Sequence, residues 1–147
     1  MIKKNEVLLT IPCLPEYVGV ARLAVSGVAS RMNFSIDEIE DIKVSISEAC
    51  TNVIQHAYEH TPTENEIIDI KISITNDNLD IVVKDYGMGF DISVLGSPEQ
   101  KEKSKEKLGL GLGLTFIENL MDNTNFQSEI GKGTTIQMAK TSPSLSH

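Results

Sequence analysis

The stretch Ser47-Glu48-Ala49-Cys50-Thr51-Asn52-Val53-Ile54-Gln55-His56-Ala57-Tyr58 organises the chain. Glu48, Asn52 and His56 recur in it every four residues, and on a helix this spacing places them along one face. Apolar residues at helical spacing, from Ile39 to Val53, form a stripe beside that face. A carboxylate and a carboxamide next to a buried stripe indicate a bound polar group, and the plainer alternative is a solvated helix edge.

Length, charge and cysteine content exclude several classes of protein. The 147 residues suffice for one two-layer domain, which we assign to residues 1–140, and we expect residues 141–147 to be a disordered tail. The formal net charge of −8 argues against direct binding to nucleic acid. No apolar run approaches membrane-spanning length and the first residues lack signal-peptide features, so we predict a cytoplasmic protein. Cys13 and Cys50 lack metal-ligand spacing and are predicted to be free buried thiols.

Hydrophobic periodicity predicts an α+β fold. A strand from Glu6 to Ile11 precedes a helix from Glu16 to about Met32, and the capping box Ser35-Ile36-Asp37-Glu38 begins a second helix that ends near Tyr58. The remaining pattern predicts strands over 68–74 and 79–85, a helix over 114–121 and a last hairpin over 125–130 and 134–139. Strands joined mostly by hairpins, with helices on one face, predict a two-layer α/β sandwich with a mixed, mostly antiparallel sheet.

A second motif, Asp85-Tyr86-Gly87-Met88-Gly89-Phe90, follows the strand over 79–85. Asp85 has the same parity as Ile81 and Val83, so its carboxylate ends the strand on the core-facing side. Such a carboxylate, beside glycines that let a ligand approach the backbone, can accept a hydrogen bond from an exocyclic amine such as that of adenine. The alternative is a strand-ending turn capped by Asp85.

A third motif, Leu108-Gly109-Leu110-Gly111-Leu112-Gly113-Leu114, stands directly before a predicted helix. Free amides at the positive end of a helix suit a phosphate group, and a flexible hinge is the alternative. A P-loop is excluded because no Gly-Lys-Ser/Thr follows the glycines. Residues 91–107 carry no periodic pattern, which predicts a mobile functional loop, and a solvated insertion with a short polar helix is the alternative.

Together the three motifs resemble the Bergerat ATP-binding fold, whose superfamily includes gyrase, histidine kinases and MutL. The resemblance implies that Glu48 is the general base, that Asn52 binds the nucleotide through Mg²⁺ and that Asp85 binds adenine. It further implies three groups of nucleotide-binding residues. Gly87 and Gly89 would line the adenine pocket, and Thr134 and Thr135 would form a final Gly-Thr element near the adenine. The hinge of a lid over the phosphates would be formed by Gly109, Gly111 and Gly113.

The subfamily follows from finer matches. The chain looks like the RsbW and SpoIIAB anti-sigma factor kinases in three segments, which are Ser47 to Tyr58, Gly111–Leu114 and Glu118–Asp122. That resemblance implies a homodimer that sequesters a sigma factor and uses ATP with Mg²⁺ to phosphorylate a serine or threonine of a STAS-type anti-anti-sigma protein. Arg22 matches a partner-contacting arginine of that family, and an ordinary solvated arginine is the alternative.

Two other functions remain open at this point. One is a switch kinase of the RsbT kind, which shares the fold and phosphorylates STAS scaffold proteins without holding a sigma factor. The other is a non-catalytic module that keeps the ATP pocket and acts by sequestration alone.

Overall fold

The computed structural model describes residues 5–57, 66–87 and 111–144. The strands are β1 (Glu6–Pro12), β2 (Ile67–Thr75), β3 (Asn78–Asp85), β4 (Asn123–Glu129) and β5 (Gly133–Thr141). The α-helices are α1 (Val18–Ala29), α2 (Ile36–Asn52) and α3 (Gly111–Leu120), with a 3-10 turn at Pro15–Tyr17 and a π-helical turn at Val53–Ala57. No helix within these ranges is long and apolar enough to cross a lipid bilayer.

The described strands form one sheet in the order β1-β2-β3-β5-β4. Every neighbouring pair is antiparallel, which confirms the α+β prediction and shows no parallel pairing within the described part of the chain. β5 enters the sheet between β3 and β4. The C-terminal end of β3 therefore lies beside the N-terminal end of β5, and the second motif meets the glycine-rich last hairpin there.

The core lies between one face of the sheet and the helices. Alternate residues of β2 and β3 are almost inaccessible to solvent: Ile68, Ile70, Ile72, Leu79, Ile81 and Val83. They form one apolar cluster with buried helix residues such as Val25, Ile46 and Ile117. Each such side chain contributes about 1.5–3 kcal/mol through burial. Asp85 continues the same alternation and is 1% exposed, so the predicted core-facing position of this carboxylate is confirmed.

Helix α2 holds the organising stretch against the core, between α1 and α3. Its predicted capping box is present: Glu38 N donates to Ser35 Oγ at 3.1 Å, and Ser35 N donates to Glu38 Oε1 at 2.9 Å. The second helix was predicted to end near Tyr58; its α-helical part ends at Asn52, and a π-helical turn continues it to Ala57.

Other boundaries also differ from those predicted. The first helix begins as a 3-10 turn at Pro15, where proline lacks the amide hydrogen that a continuing helix needs, and α1 ends at Ala29 rather than near Met32. Thr141 belongs to β5, and the Ser142 amide donates to Asp77 O at 2.8 Å, so the tail begins later than residue 141. The predicted loop over 91–107 and the last residues, 145–147, lie outside the described residues.

Candidate active site

The Glu48–Asn52 pair occupies the last turn of α2. Asn52 is 6% exposed, and its Nδ2 is the one buried side-chain nitrogen or oxygen atom without a hydrogen-bond partner in the ranges that the structure describes. A buried amide without a partner costs about 1–3 kcal/mol. Glu48, one turn earlier, is half-buried and makes no ion pair or hydrogen bond with a described residue. Two unpaired polar groups on one helical face indicate a site for a polar ligand.

The first turn of α3 packs directly on this pair. A Cβ atom at Gly113 would lie 3.0 Å from both Asn52 Nδ2 and Oδ1 and 3.2 Å from Glu48 Oε2, so only glycine permits this approach without displacement. The glycines were expected to precede the helix, whereas Gly111 and Gly113 are its first and third residues. Amides of a first turn have no acceptor within the helix, so the positive end of α3 still faces the Glu48–Asn52 pair.

Asp85 belongs to the other layer of the sandwich, the sheet, where it ends strand β3. Its Oδ1 accepts hydrogen bonds from Gly87 N at 2.9 Å and from Thr134 N at 3.1 Å. Burial raises the pKa of Asp85 above its ordinary value, while the two amides and the charge of Lys84 act in the lowering direction. Both of these bonds fall on Oδ1, and no hydrogen bond from a described residue reaches Oδ2. Asp85 can therefore accept a hydrogen bond from a ligand through Oδ2.

The last hairpin shapes the surroundings of Asp85. Gly133 has φ +86°, and a Cβ atom there would lie 2.1 Å from Asp85 O, so the start of β5 touches the backbone of the Asp85–Tyr86 turn. Thr134 contacts Asp85 through its backbone amide, which donates to Asp85 Oδ1. Thr135 is the cross-strand partner of Lys84, so the register places Thr135 on the opposite sheet face from Asp85 and not at the site.

A hydrogen bond on the outer face of the sheet braces the same turn. Tyr86 OH donates to Asp69 Oδ2 at 2.6 Å, which ties the residue after Asp85 to the neighbouring strand β2. This contact holds the turn from behind, so that the backbone amide of Gly87 remains directed at the Asp85 carboxylate.

The chain has two buried thiols, Cys13 directly after β1 and Cys50 near the end of α2. Cys13 and Cys50 are free and fully buried, as predicted. Burial raises the pKa of Cys13 to about 11, with contributions from the negative charges of Glu66 and Asp85, and raises the pKa of Cys50 to about 12, with a contribution from Cys13. Both thiols are protonated and unreactive at neutral pH.

The structure brings together Glu48, Asn52 and Gly113 at one end of the candidate site, and Asp85, Gly87 and Thr134 at the other. Gly89 and Gly109 lie outside the described residues, and Arg22 is exposed on α1. No group of three or more His, Cys, Asp or Glu side chains that could hold a metal occurs among residues 5–57, 66–87 and 111–144. Sequence reasoning missed Ser128, which bonds to Thr134; the hairpin register around Gly131-Lys132-Gly133 was the signal that could have found it.

Comparison with known proteins gives the class of this domain. The profile of the histidine kinase-like ATPase domain matches residues 11–140. A crystal structure of the RsbU and RsbW domains of a Mycobacterium tuberculosis protein has the same fold, with a TM-score of 0.66 at 19% identity. That alignment covers 92% of this chain and 32% of the longer chain.

Curated relatives narrow the class further. The serine-protein kinase RsbW of Bacillus licheniformis is 44% identical over 133 residues, which are 88% of this chain and 81% of the relative. The serine-protein kinase RsbW of Bacillus subtilis is 40% identical over 136 residues, which are 90% of this chain and 82% of the relative. The chain therefore belongs to the histidine kinase-like ATPase family and, within it, to the RsbW-type serine-protein kinases.

Proposed function

We propose that this protein transfers the γ-phosphoryl group of ATP to a serine of a STAS-type anti-anti-sigma protein, and that it sequesters a sigma factor in an alternative complex. The observation that carries the catalytic part is the Glu48–Asn52 pair, unpaired with any other described side chain and covered by the first turn of α3. The relatives named serine-protein kinases support serine as the acceptor. Residues 1–140 would form the single domain that carries both activities.

The two ends of the site suit the two ends of ATP. Asp85 has an acceptor oxygen for the adenine amino group, and the first-turn amides of α3 suit the phosphates. The residues also fit a divalent cation, because the Asn52 side-chain oxygen and the Glu48 carboxylate both lie against Gly113 and are oxygen ligands of the kind that Mg²⁺ prefers, while the unpaired Asn52 Nδ2 suits a phosphate oxygen. Mg²⁺ held by the Asn52 side-chain oxygen would supply positive charge to neutralise the phosphate oxygens during transfer.

In this proposal Glu48 acts as the general base. A serine hydroxyl of the partner would give its proton to the Glu48 carboxylate as its oxygen attacks the γ-phosphorus and the bond to ADP breaks. No described side chain engages this carboxylate, so it is available to accept the proton. The amides at the positive end of α3 would stabilise the negative charge that the transferred group carries.

The partners are proposed from the family. A sigma factor and a STAS-type protein would compete for a surface that includes α1, where Arg22 is exposed and pairs with no described residue. We include a homodimer in the proposal, which sedimentation of the purified protein would test. Because sigma factors act on RNA polymerase, the proposal places the protein in the cytoplasm.

The proposal is tested by single-turnover phosphotransfer to a STAS-domain protein from the same genome, at saturating ATP. Glu48→Gln should preserve the fold and ATP binding while the transfer rate falls by about 10²-fold or more, because glutamine cannot accept the proton. Asn52→Ala should lose tight nucleotide binding as well as transfer.

Glu40→Gln is the matched control, since Glu40 lies on the same helix and bonds only to Lys43 at 3.0 Å on the surface. Its transfer rate should equal that of the wild type. Transfer by Glu48→Gln at the wild-type rate would remove Glu48 from the mechanism. A wild-type protein that binds ATP and sigma factor but transfers to no STAS protein would instead be a sequestration module.

A further inference from the structure

Lys140 is a charged residue buried between the two layers of the sandwich. It is 8% exposed, and its cross-strand partner Leu79 belongs to the core, so the lysine side chain lies on the face of β5 that packs against the helices. A lysine is rarely buried to this extent without a carboxylate partner, and no carboxylate of a described residue pairs with it. An apolar residue would be the simpler choice at this position.

The ammonium group of Lys140 is bonded to the end of helix α3. Its Nζ donates to the backbone oxygen of Leu120, the last residue of α3, at 2.6 Å. The last carbonyls of a helix have no donor within the helix and carry its partial negative charge, so a buried cation stabilises this end. Lys140 therefore caps the C-terminus of the same helix whose first turn packs on the Glu48–Asn52 pair.

Two further hydrogen bonds connect this end of α3 to the end of β5. Asp122 N donates to Ala139 O at 2.9 Å, and Thr141 N donates to Asp122 Oδ2 at 2.7 Å. Both bonds hold Asp122, which follows the helix, whereas Lys140 bonds to the helix itself. Of these three contacts, the one made by Lys140 thus acts directly on the position of α3.

We propose that Lys140 is a positioning residue for phosphoryl transfer, because it fixes the C-terminal end of α3 and thereby sets the distance of the first turn of α3 from the Glu48–Asn52 pair. The inference rests on the proposed function, and it extends that function to a residue at the opposite end of the helix. Lys140 itself contacts neither Glu48 nor Asn52 through a hydrogen bond or an ion pair.

The helix can transmit a change at one end to the other because it is short and is held in its middle. α3 has ten residues, and its length is about 15 Å. Leu114 and Ile117 are buried in the core, so a helix released at Leu120 can tilt about these two side chains and displace its first turn. A Cβ atom at Gly113 would already lie 3.0 Å from Asn52, so this contact leaves little room for a tilt toward α2. A displacement of about 1 Å between reacting groups can lower a rate by as much as 10²-fold.

The test compares the wild type with Lys140→Met, which keeps an unbranched apolar side chain and removes the ammonium group. Calorimetry measures the dissociation constants of Mg·ATP and Mg·ADP, and single-turnover phosphotransfer to the STAS-domain protein measures the rate. We expect the ratio of Mg·ATP affinity to Mg·ADP affinity to fall by about fivefold to tenfold, because Glu48 faces the γ-phosphate in the proposed mechanism. The transfer rate at saturating Mg·ATP should fall by about tenfold or more. Lys140→Arg, which keeps a positively charged donor, should recover most of both losses.

Ile72→Val is the stability control. Ile72 is fully buried on β2, which packs with α1, so the loss of one methylene group there lowers the melting temperature without a change at α3. Its affinity ratio and its transfer rate should equal those of the wild type. A lower melting temperature of Lys140→Met, with the wild-type ratio and the wild-type rate, would show that the lysine has a purely structural role and would overturn the inference.

Asp122→Ala provides the second test where Lys140→Met does not fold. Asp122 is exposed, so its substitution removes the hydrogen bond from Thr141 N and leaves the core intact. The affinity ratio and the transfer rate should fall in the same direction by smaller factors. In that case unchanged values of both would overturn the inference.

The failure of the proposed function would look different. A wild-type protein that neither binds Mg·ATP nor transfers phosphate would overturn the proposed function together with this inference. A wild-type protein that does both, with the same affinity ratio and rate in Lys140→Met, would overturn only the role of Lys140.

Discussion

Two polar side chains of the candidate site are buried in the core. Asp85 and Asn52 are buried at 1% and 6% exposure, and each has bonding capacity that no described residue satisfies. Burial without full satisfaction lowers the stability of the fold, so these residues make sense as groups completed by a ligand. At the residue scale, the free energy of folding and the binding of ligand are therefore linked.

The raised pKa of Asp85 predicts opposite effects of acid on stability and on binding. Since burial raises the folded-state pKa above that of the unfolded chain, the native state takes up a proton first as the pH falls through the folded pKa. The unfolding free energy should then rise relative to Asp85→Asn, while ATP affinity falls because the protonated oxygen no longer accepts. Denaturant titrations and calorimetry from neutral to mildly acidic pH measure both, and an ATP affinity with the same pH profile in Asp85→Asn would contradict the adenine role.

Gly113 predicts a separation of stability from nucleotide binding. Alanine is a better helix former than glycine by about 0.8–1 kcal/mol, so Gly113→Ala should fold at least as well as the wild type. Its Cβ atom would press on Asn52 and Glu48 at 3.0 and 3.2 Å, so the affinity for Mg·ATP should fall by roughly tenfold or more.

The control for this prediction is Gly27→Ala on α1, where a Cβ atom meets nothing within 4 Å. It should gain similar helix stability with no change in affinity. Equal Mg·ATP affinities for the two variants would mean that the Gly113 contact does not matter to the site.

At the scale of elements, each end of the site is made by two elements in contact. The end of β3 meets the start of β5 through Gly133, and the last turn of α2 meets the first turn of α3 through Gly113. In both places a glycine removes the Cβ atom that would separate the elements. The geometry of the site therefore depends on how closely two pairs of elements approach, more than on any single element.

The last hairpin predicts a contrast between its two glycines. Gly131 and Gly133 both have positive φ, at +80° and +86°, so alanine strains either position by about 1–2 kcal/mol. Only Gly133→Ala also forces a Cβ atom against Asp85 O, and it should cost several kcal/mol and weaken ATP binding. Thermal and denaturant unfolding of both variants measure the difference, and equal losses of stability would show that β5 can withdraw from Asp85 without cost.

At the scale of the whole molecule, the candidate site joins the two layers of the sandwich. Asp85 belongs to the sheet, whereas Glu48, Asn52 and Gly113 belong to the helices packed on it. A nucleotide that contacts both ends would hold the layers together and would bind the folded state alone. Ligand binding should therefore appear as global stabilisation.

Nucleotide binding should raise the melting temperature of the protein. At an ATP concentration 100 times its dissociation constant, with Mg²⁺, the stabilisation is about 2.7 kcal/mol, which corresponds to roughly 5–10 °C for a domain of this size. At the same ATP concentration, Asp85→Asn should lose most of this shift, because it loses the adenine contact. A shift of the same size in the variant, measured by scanning calorimetry, would place the nucleotide elsewhere.

Local sequence patterns were enough to predict the class of the fold and the faces on which Asp85, Glu48 and Asn52 lie. Alternation in β2 and β3 put Asp85 on the buried face, the capping box set the start of α2, and the spacing of Glu48 and Asn52 put both on one helical face. These features depend on local periodicity and on hydrogen bonds between residues close in the chain, so the sequence suffices to predict them.

The remaining features of the candidate site could be seen only in the tertiary structure. The face on which Thr135 lies and the contact of Gly113 with Asn52 each depend on residues far apart in the chain. Ser128 was missed because its hydroxyl contacts Thr134 on the neighbouring strand, which its own sequence position does not reveal. Periodicity specifies which face of an element is buried, whereas packing between elements decides which polar groups meet there.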